Sequence, residues 1–321
     1  MEALPRLQNN EEYQELLAAL VVLPTLKETW NHPRDDEIEF EPECHRYRVK
    51  SDMGSKYESV TGWYGQQFRH ETSDDIVEKM FKGKKWGPSH KYWGQSKEEI
   101  LASWSIINKE ACRMGELHHK AIEAFINYST EAGNDGKKKL KTHAELSILW
   151  MIKEQLELEQ KVYEILGKGW RFFLQFVCNN PTLVPLRTEW RIYHEELKIC
   201  GTIDAVYLEP DGSLVIIDWK RAKDIKHYET IESFRRYATT VGLGHVPDLK
   251  YWHYALQLNC YRHILESKYA QRVSNMVLVV LHPEGDSYKL MMVPRMEKEI
   301  EVMVRDHMSF LNQKSAPEQA I

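Results

Sequence analysis

Two carboxylates and a lysine are spaced in a way that suits metal chemistry. Asp204 lies in a β-rich run, and Asp218 and Lys220 lie near the end of the next such run, beyond a Pro/Asp/Gly/Ser turn. The two runs therefore predict a β-hairpin. Residues i and i+2 of a strand point to the same face, and pairing across the hairpin can bring Asp204 beside Asp218 and Lys220. The sequence thus predicts a divalent metal site with an ammonium group available to water or phosphate.

The alternative for these three residues is an exposed hairpin with a salt bridge worth about 0 to 1 kcal/mol. Asp218, however, follows Leu-Val-Ile-Ile, a run that is typical of a buried strand. An unpaired carboxylate would be costly there, which favours the metal site.

A predicted helix at residues 110–128 carries Gly115, His119 and Glu123 at i, i+4 spacing beside an apolar stripe. A glycine one turn before His119 would let another backbone or a substrate approach that side closely. His118 falls on the stripe and is predicted to be a core or boundary residue.

Other elements must hold these groups in place. A predicted helix at residues 251–268 carries Gln257 and Tyr261 one turn apart, which an amphipathic helix face would also explain. Further strands are predicted at 187–194, 199–208, 214–219, 276–282 and 288–293, with a hairpin between 38 and 60. Further helices are predicted at 11–30, at 63–128 in several pieces, at 143–178 and at 296–311. The polar stretch 221–250 is expected to be irregular and to lie where substrate passes.

Composition sets the outer limits. The chain has 321 residues, of which 42% are hydrophobic and 28% charged, as in ordinary soluble globular proteins. No apolar run approaches the roughly 20 residues that span a bilayer, and the N-terminus lacks the features of a secretory signal. We therefore expect no membrane partner and an intracellular location. Five scattered cysteines without C-x-x-C spacing predict neither a zinc site nor a disulfide framework.

The formal net charge of -5 argues against binding a polyanion through the overall field, so contact with nucleic acid would need a local basic patch. One candidate is Lys84, Lys85 and Trp86, because lysines neutralise phosphates and a Trp face can stack on a base. Lys223, in the polar stretch after the hairpin, is a further candidate. A solvated loop explains the lysine cluster equally well.

The motifs in order resemble the RecB-type branch of the PD-(D/E)xK nuclease superfamily. They are Gly115-x-x-x-His119, Gly201-Thr-Ile-Asp204, Asp218-Trp-Lys220 and Gln257-x-x-x-Tyr261. Residues 57–61 and Thr188-Glu-Trp190 also look like the exonuclease-like members found in large DNA viruses. The resemblance covers roughly residues 40 to 310. It implies a central mixed β-sheet of the restriction-endonuclease-like fold, flanked by helices on both faces, with a helical N-terminal or arch layer.

By this resemblance, Mg²⁺ or Mn²⁺, as one or two ions, would be held by a set of four groups: His119, Asp204, Asp218 and the backbone carbonyl of Trp219. Lys220 would orient or activate the attacking water and stabilise charge on the scissile phosphate. Gln257 and Tyr261 would brace the site and the nucleic-acid backbone. Glu123 and Glu189 are candidates for outer or second-metal roles. Hard cations prefer oxygen ligands, and an imidazole ligand extends tolerance to Mn²⁺.

Two departures from the family pattern stand out. Ile203 occupies the place where the superfamily name has Pro, which the RecB branch commonly tolerates. Some relatives carry four cysteines that bind an iron-sulfur cluster, but the cysteines here lack that spacing, so no cluster is predicted.

The predicted organisation is an N-terminal helical segment (1–37), a nuclease domain (38–312) with a helical insertion at about 63–180, and a tail (313–321). The predicted function is a metal-dependent DNA exonuclease in replication, recombination or repair. Its partners would be single-stranded DNA or duplex ends, with replication or recombination proteins. An RNA endonuclease of the same fold and a non-catalytic nucleic-acid-binding module remain as alternatives. The sequence contains no G-x-x-x-x-G-K-[ST] loop, which disfavours a fused helicase.

Overall fold

A computed structural model describes residues 10–20, 25–41, 44, 46–128, 139–151, 153–223, 225 and 236–315. Its helices are α1 (Asn10–Ala19), α2 (Thr25–Thr29), α3 (Val60–Gly65), α4 (Ser73–Phe81), α5 (Lys97–Asn127), α6 (His143–Trp150), α7 (Lys153–Leu166), α8 (Lys168–Asn179), α9 (Lys250–Lys268) and α10 (Glu297–Ser315). Its strands are β1 (Ile38–Glu41), β2 (Arg46–Val49), β3 (Glu58–Ser59), β4 (Val184–His194), β5 (Ile199–Leu208), β6 (Leu214–Lys220), β7 (Val273–Val280) and β8 (Lys289–Met292).

Six of these strands form a mixed central sheet. Antiparallel pairs join β4 to β5, β5 to β6 and β7 to β8, while β6 and β7 run parallel and the short β3 lies parallel to the start of β5. Strands β5 and β6 form the predicted hairpin. The parallel β6–β7 pair needs a long crossover, which α9 supplies between them.

Helices cover both faces of the sheet. On one face, α3, α9 and α10 share a core with Ile216 and Leu278, and on the other, α5, α6 and α8 share a core with Ile217 and Trp219. Because β6 is buried on both faces, its sequence is almost continuously apolar rather than alternating. The predicted architecture, a central mixed sheet flanked by helices, is confirmed. Within the described residues, no helix is both long and apolar enough to cross a membrane.

The structure corrects several local predictions. The hairpin predicted between 38 and 60 ends at Val49 as a separate two-stranded sheet, because β3 joins the central sheet instead. Residues 63–128, predicted to be helical in several pieces, include α5, which begins at Lys97 after a capping box formed by Ser96 and Glu99 and runs for 31 residues. Within α5, Ile100 is buried and Ile107 is 60% exposed, so the continuous buried stripe beside His119 begins at Met114.

The segment predicted as one long helix with a break, residues 143–178, is three helices, α6 to α8. Leu156, for which the amphipathic pattern of 143–178 predicts a core position, is 46% exposed. The predicted irregular stretch 221–250 and the predicted tail lie partly outside the described residues.

Candidate functional site

The β5–β6 hairpin brings the two acids together. The pairing of Ala205 with Ile217 places Asp204 and Asp218 next to one another, one position beyond the last paired residues. Oδ2 of Asp204 accepts a hydrogen bond from the backbone N–H of Trp219 at 3.0 Å. Asp218 and Lys220 share a face of β6, as the two-residue strand period requires, and the Nζ of Lys220 lies 2.6 Å from Asp218 Oδ2.

These groups are buried, and burial changes their protonation. The Asp218 side chain is 3% exposed, and burial raises its pKa to about 6 against the opposing effect of Lys220. Burial also raises the pKa of Asp204, although His119 and Lys220 oppose it. For Lys220, burial lowers the pKa, but Asp218 and Asp204 together raise it above its usual value. The lysine is therefore a charged ammonium at neutral pH and a donor of hydrogen bonds.

The half-buried imidazole of His119 reaches the same place from α5. Its Nδ1 lies 3.7 Å from Asp204 Oδ2 and 3.8 Å from Glu189 Oε1. Its Nε2 donates to the backbone carbonyl of Trp219 at 3.1 Å. Burial lowers the pKa of His119, but Asp204 and Glu189 raise it further, to about 9. One histidine thus faces the two carboxylates with one nitrogen and a backbone carbonyl with the other.

Glu189 is held in the site by an unusual backbone conformation. It lies in β4 with φ of 43°, in the left-handed region that non-glycine residues rarely adopt. Such strain persists where the surroundings enforce it, and it is concentrated at functional sites. Glu123, on α5 next to Glu189, has a pKa raised to about 7 by burial and by the charge of Glu189. Both acids line one cavity of about 280 Å³ with Arg191 and Lys27.

Helix α9 supplies the polar groups predicted to brace the site. Nε2 of Gln257 donates to the Tyr261 hydroxyl at 3.1 Å. The Tyr261 ring in turn lies against Gly201 of β5, where an added Cβ would come within 2.7 Å of Tyr261 Cε1. The Gly-Thr-Ile-Asp motif therefore has a packing reason for its glycine, since any side chain there would displace the ring.

Two further residues of α5, His118 and Gly115, were given specific roles by the sequence, and only one of the two predictions agrees with the structure. His118 is 2% exposed and lies in the core, as predicted. Gly115 has open space around the position of a Cβ, so no described backbone approaches it and the predicted close protein contact is absent among the described residues.

The predicted nucleic-acid contacts lie apart from this centre. Lys84 and Lys85 are exposed between α4 and α5, and Trp86 packs against Phe81 at 4.6 Å between ring centroids. No hydrogen bond, ion pair or ring contact among the described residues joins these three to the metal-site candidates. Lys223 forms an ion pair with Glu284 beside a separate cavity of about 280 Å³.

Sequence reasoning did not find Tyr254. Its ring centroid lies 4.5 Å from the Nζ of Lys220, so it packs directly against the ammonium. A signal existed, because Tyr254, Gln257 and Tyr261 are spaced i, i+3 and i+7 and therefore share one helix face. Asn127 was also missed; it donates to Thr188 Oγ1 at 2.7 Å and ties the end of α5 to β4 beside Glu189.

The donor set fits a hard divalent cation. Ligand atoms of His119, Glu189 and Asp204 all lie within 4.8 Å of one another, with Asp218 and the carbonyl of Trp219 adjoining them. Carboxylate and carbonyl oxygens with one imidazole are the ligands that Mg²⁺ and Mn²⁺ accept. His119 Nδ1 and Asp204 Oδ2 stand 3.7 Å apart, which is too far for a hydrogen bond, so the imidazole does not bind the carboxylate directly.

Of three comparisons with known proteins, one identifies the family of this chain. A solved structure described as "Crystal structure of SSO0001" shares 16% identity, covers 56% of this chain and 84% of that one, and has a TM-score of 0.24, too low to support an argument. No curated protein matches the sequence. The family profile of the PD-(D/E)XK nuclease superfamily matches residues 101–315, which is more than half of the chain and includes His119, the β5–β6 hairpin and α9. The chain therefore belongs to the PD-(D/E)XK nuclease superfamily.

Proposed function

We propose that this protein is a metal-dependent deoxyribonuclease that removes nucleotides from DNA ends during replication, recombination or repair. The observation that carries the proposal is the convergence of Asp204, Asp218, Lys220 and His119 at one end of the β5–β6 hairpin. Enzymes of this superfamily use divalent metal ions. The resemblance of the ordered motifs to RecB-type and viral exonuclease-like proteins supports the choice of DNA and of exonuclease activity.

The metal would be held by His119, Asp204, Asp218 and the carbonyl of Trp219, with Glu189 and Glu123 in outer or second-metal roles. Bound there, Mg²⁺ or Mn²⁺ would lower the pKa of a water molecule and neutralise charge on the phosphate. Raised pKa values of Asp204 and Asp218 in the metal-free protein agree with this role, because buried carboxylates without enough positive charge resist ionisation.

Lys220 supplies the permanent positive charge of the site. Its raised pKa keeps the ammonium protonated, so it cannot accept a proton from water at neutral pH. Its contribution is to orient the water and to donate to a phosphate oxygen. The ring of Tyr254 and the ion pair with Asp218 hold the ammonium in one position, which preorganises it to contact the water and the phosphate.

The Gln257–Tyr261 pair is assigned a positioning role. Tyr261 fills the space over Gly201, three residues before Asp204 on the same strand, and Gln257 holds the phenol hydroxyl. The contact between Tyr261 and Gly201 therefore fixes how far the polar face of α9 lies from the β5–β6 hairpin. Gln257 is half-buried and would also contact the nucleic-acid backbone, whereas Tyr261, which is 4% exposed, would act only as the brace.

End-labelled linear single-stranded, duplex and flap DNA, together with covalently closed circles, would test the proposal. We expect nucleotides to be released from linear substrates with Mg²⁺ or Mn²⁺, none in EDTA, and intact circles. Cleavage of circles would replace exonuclease with endonuclease activity. A strong preference for RNA of the same sequence would select an RNA endonuclease, and metal-independent binding without turnover would leave only a binding module.

A further inference from the structure

The segment between α4 and α5, residues 82–95, is unlike the rest of the molecule in charge. It contains four lysines and no acidic residue in a chain whose formal net charge is -5. No carboxylate of the described residues lies within 4.0 Å of any of these ammonium groups. The nearest acids of α4, Asp74 and Glu78, are instead ion-paired with Lys97 at 3.0 and 2.9 Å. The four lysines are Lys82, Lys84, Lys85 and Lys91.

The same segment presents a cluster of aromatic rings. Trp86 packs between His90 and Trp93, with ring centroids 4.8 and 5.5 Å away. Tyr92 accepts a hydrogen bond from Trp104 Nε1 at 2.9 Å, which anchors the segment to α5. Trp93 is 48% exposed, an unusually large exposure for a ring of this size. The cluster is therefore anchored to α5 and leaves about half of the Trp93 side chain exposed to solvent.

An exposed indole among lysines without a described carboxylate partner, one of which, Lys91, lies 4.9 Å from the Tyr92 ring centroid, is the kind of surface by which proteins hold an unpaired nucleic-acid strand. Bases stack on the rings regardless of sequence, and the lysines neutralise the phosphates between them. A folded duplex offers no free base face to such a surface, and an apolar protein partner would gain nothing from four lysines. The charge and the rings together favour a single strand.

Helix α5 relates this surface to the candidate metal site. Trp104, which anchors Tyr92, and His119 both belong to α5 and stand fifteen positions apart. At a rise of about 1.5 Å per residue they are ~22 Å apart along the helix axis. This separation corresponds to about six nucleotides at the ~3.4 Å spacing of stacked bases.

We propose that residues 82–95 form a stacking platform for an unpaired DNA strand, with Trp93 as the stacking ring and with the anchor of the platform on α5, Trp104, about six nucleotides from His119 of the cleavage site. The platform specifies the substrate of the nuclease proposed above and rests on that proposal only for the position of cleavage. In this proposal the ring that contacts a base is Trp93 and not Trp86.

Equilibrium binding of fluorescent oligothymidylates in EDTA tests the platform without catalysis. Trp93→Ala should weaken binding of an oligonucleotide longer than the separation by about 5- to 150-fold. Phe310→Ala is the matched control, because Phe310 is also 55% exposed and has a lysine, Lys314, 5.7 Å from its ring centroid, but belongs to α10. Equal affinity of Trp93→Ala and the unchanged protein for the long oligonucleotide would overturn the proposal.

A second variant keeps the test valid if Trp93→Ala fails to fold. Lys84→Ala combined with Lys85→Ala changes only exposed side chains and should reduce the slope of log affinity against log salt by about 1.4. An unchanged slope would count against the platform. If the protein cleaves no DNA with any metal but Trp93→Ala still weakens binding, the proposed function fails and the platform stands. If cleavage occurs and both variants bind normally, the platform fails and the nuclease stands.

Discussion

Within the described residues, two groups of one histidine and two acids offer ligand atoms within 4.8 Å of one another. The hairpin group is His119, Glu189 and Asp204, and the turn group, between β4 and β5, is His194, Glu195 and Glu196. In the turn group each acid has its own cation: Glu195 pairs with Arg34 at 2.7 Å and Glu196 pairs with Lys268. Beside the hairpin group, Lys220 forms a close ion pair with the adjoining Asp218.

The two histidines report this difference. Burial and the nearby Lys268 lower the pKa of His194 to about 4, so at neutral pH this histidine is uncharged and the acids beside it are paired with cations. His119 is also disfavoured by burial, yet Asp204 and Glu189 raise its pKa to about 9. Residue types alone would not separate the groups. In the hairpin group with Asp218, three carboxylates face two protein cations, Lys220 and the protonated His119. This excess of negative charge over protein cations distinguishes a place that can hold a metal ion from one that is complete by itself.

The largest expected effect comes from removing one carboxylate of the metal site. Asp218→Asn and Asp204→Asn should each lower kcat by at least about 10³-fold, because they delete a ligand while keeping the size of the side chain. Glu196→Gln in the turn group should change kcat by less than about twofold, since it removes only an exposed ion pair. Rates with saturating Mn²⁺ on end-labelled DNA would measure both, with circular dichroism as the check on folding. Full activity of Asp218→Asn would remove this residue from the metal site.

The second effect is on the pH dependence of metal affinity. A metal ion competes with the proton on His119, whose pKa is about 9, so affinity should rise as pH increases from 6.5 to 9. The expected slope is about tenfold per pH unit for one displaced proton. His119→Gln should weaken binding and flatten the slope, whereas His194→Gln should leave it unchanged because His194 is already neutral in this range. Calorimetric titration with Mn²⁺ would show it; an equal slope in His119→Gln would rule out His119 as the source of the proton.

Much of the hairpin group could be predicted from sequence because its causes are local. The predicted strand 199–208 has the same bounds as β5, since a Pro/Asp/Gly/Ser turn and β-rich runs define a hairpin without help from the rest of the chain. The burial of Asp218 also followed from the apolar run before it. Strand pairing then brings Asp204 to the same end.

What could not be predicted depends on how distant elements cross. The contact between the Tyr254 ring and Lys220 is set by the angle of α9 over β6, which no local pattern encodes. The positive φ of Glu189 occurs at a residue type that carries no sequence signal for it. The exposure of Ile107 could not be predicted either, because its apolar spacing on α5 is that of a core residue, yet no described element packs over that part of the helix closely enough to bury it.

A smaller effect is expected from the brace over the hairpin group. Gly201→Ala would place a methyl group 2.7 Å from Tyr261 Cε1, so the ring must move and the free energy of unfolding should fall by about 1 to 3 kcal/mol. Cleavage should fall as well, because Tyr261 positions the hairpin against α9. Gly115→Ala is the matched control: it meets nothing within 4 Å and lies inside α5, where it should raise stability by about 0.5 to 1 kcal/mol. Urea unfolding would measure both, and equal stability changes would refute the packing argument.

The smallest effect tests whether protein cations define the turn group. Lys268→Ala removes the partner of Glu196, whose side chain is 55% exposed, so unfolding free energy should fall by only about 0 to 1 kcal/mol. The pKa of His194 should rise, because Lys268 lowers it, but burial should still hold it below 6.5. Nuclear magnetic resonance titration of His194 would measure the change, with Lys314→Ala on α10 as the control. An unchanged pKa would mean that burial alone keeps His194 neutral, and the contrast between the two groups would then lie in desolvation rather than in their cations.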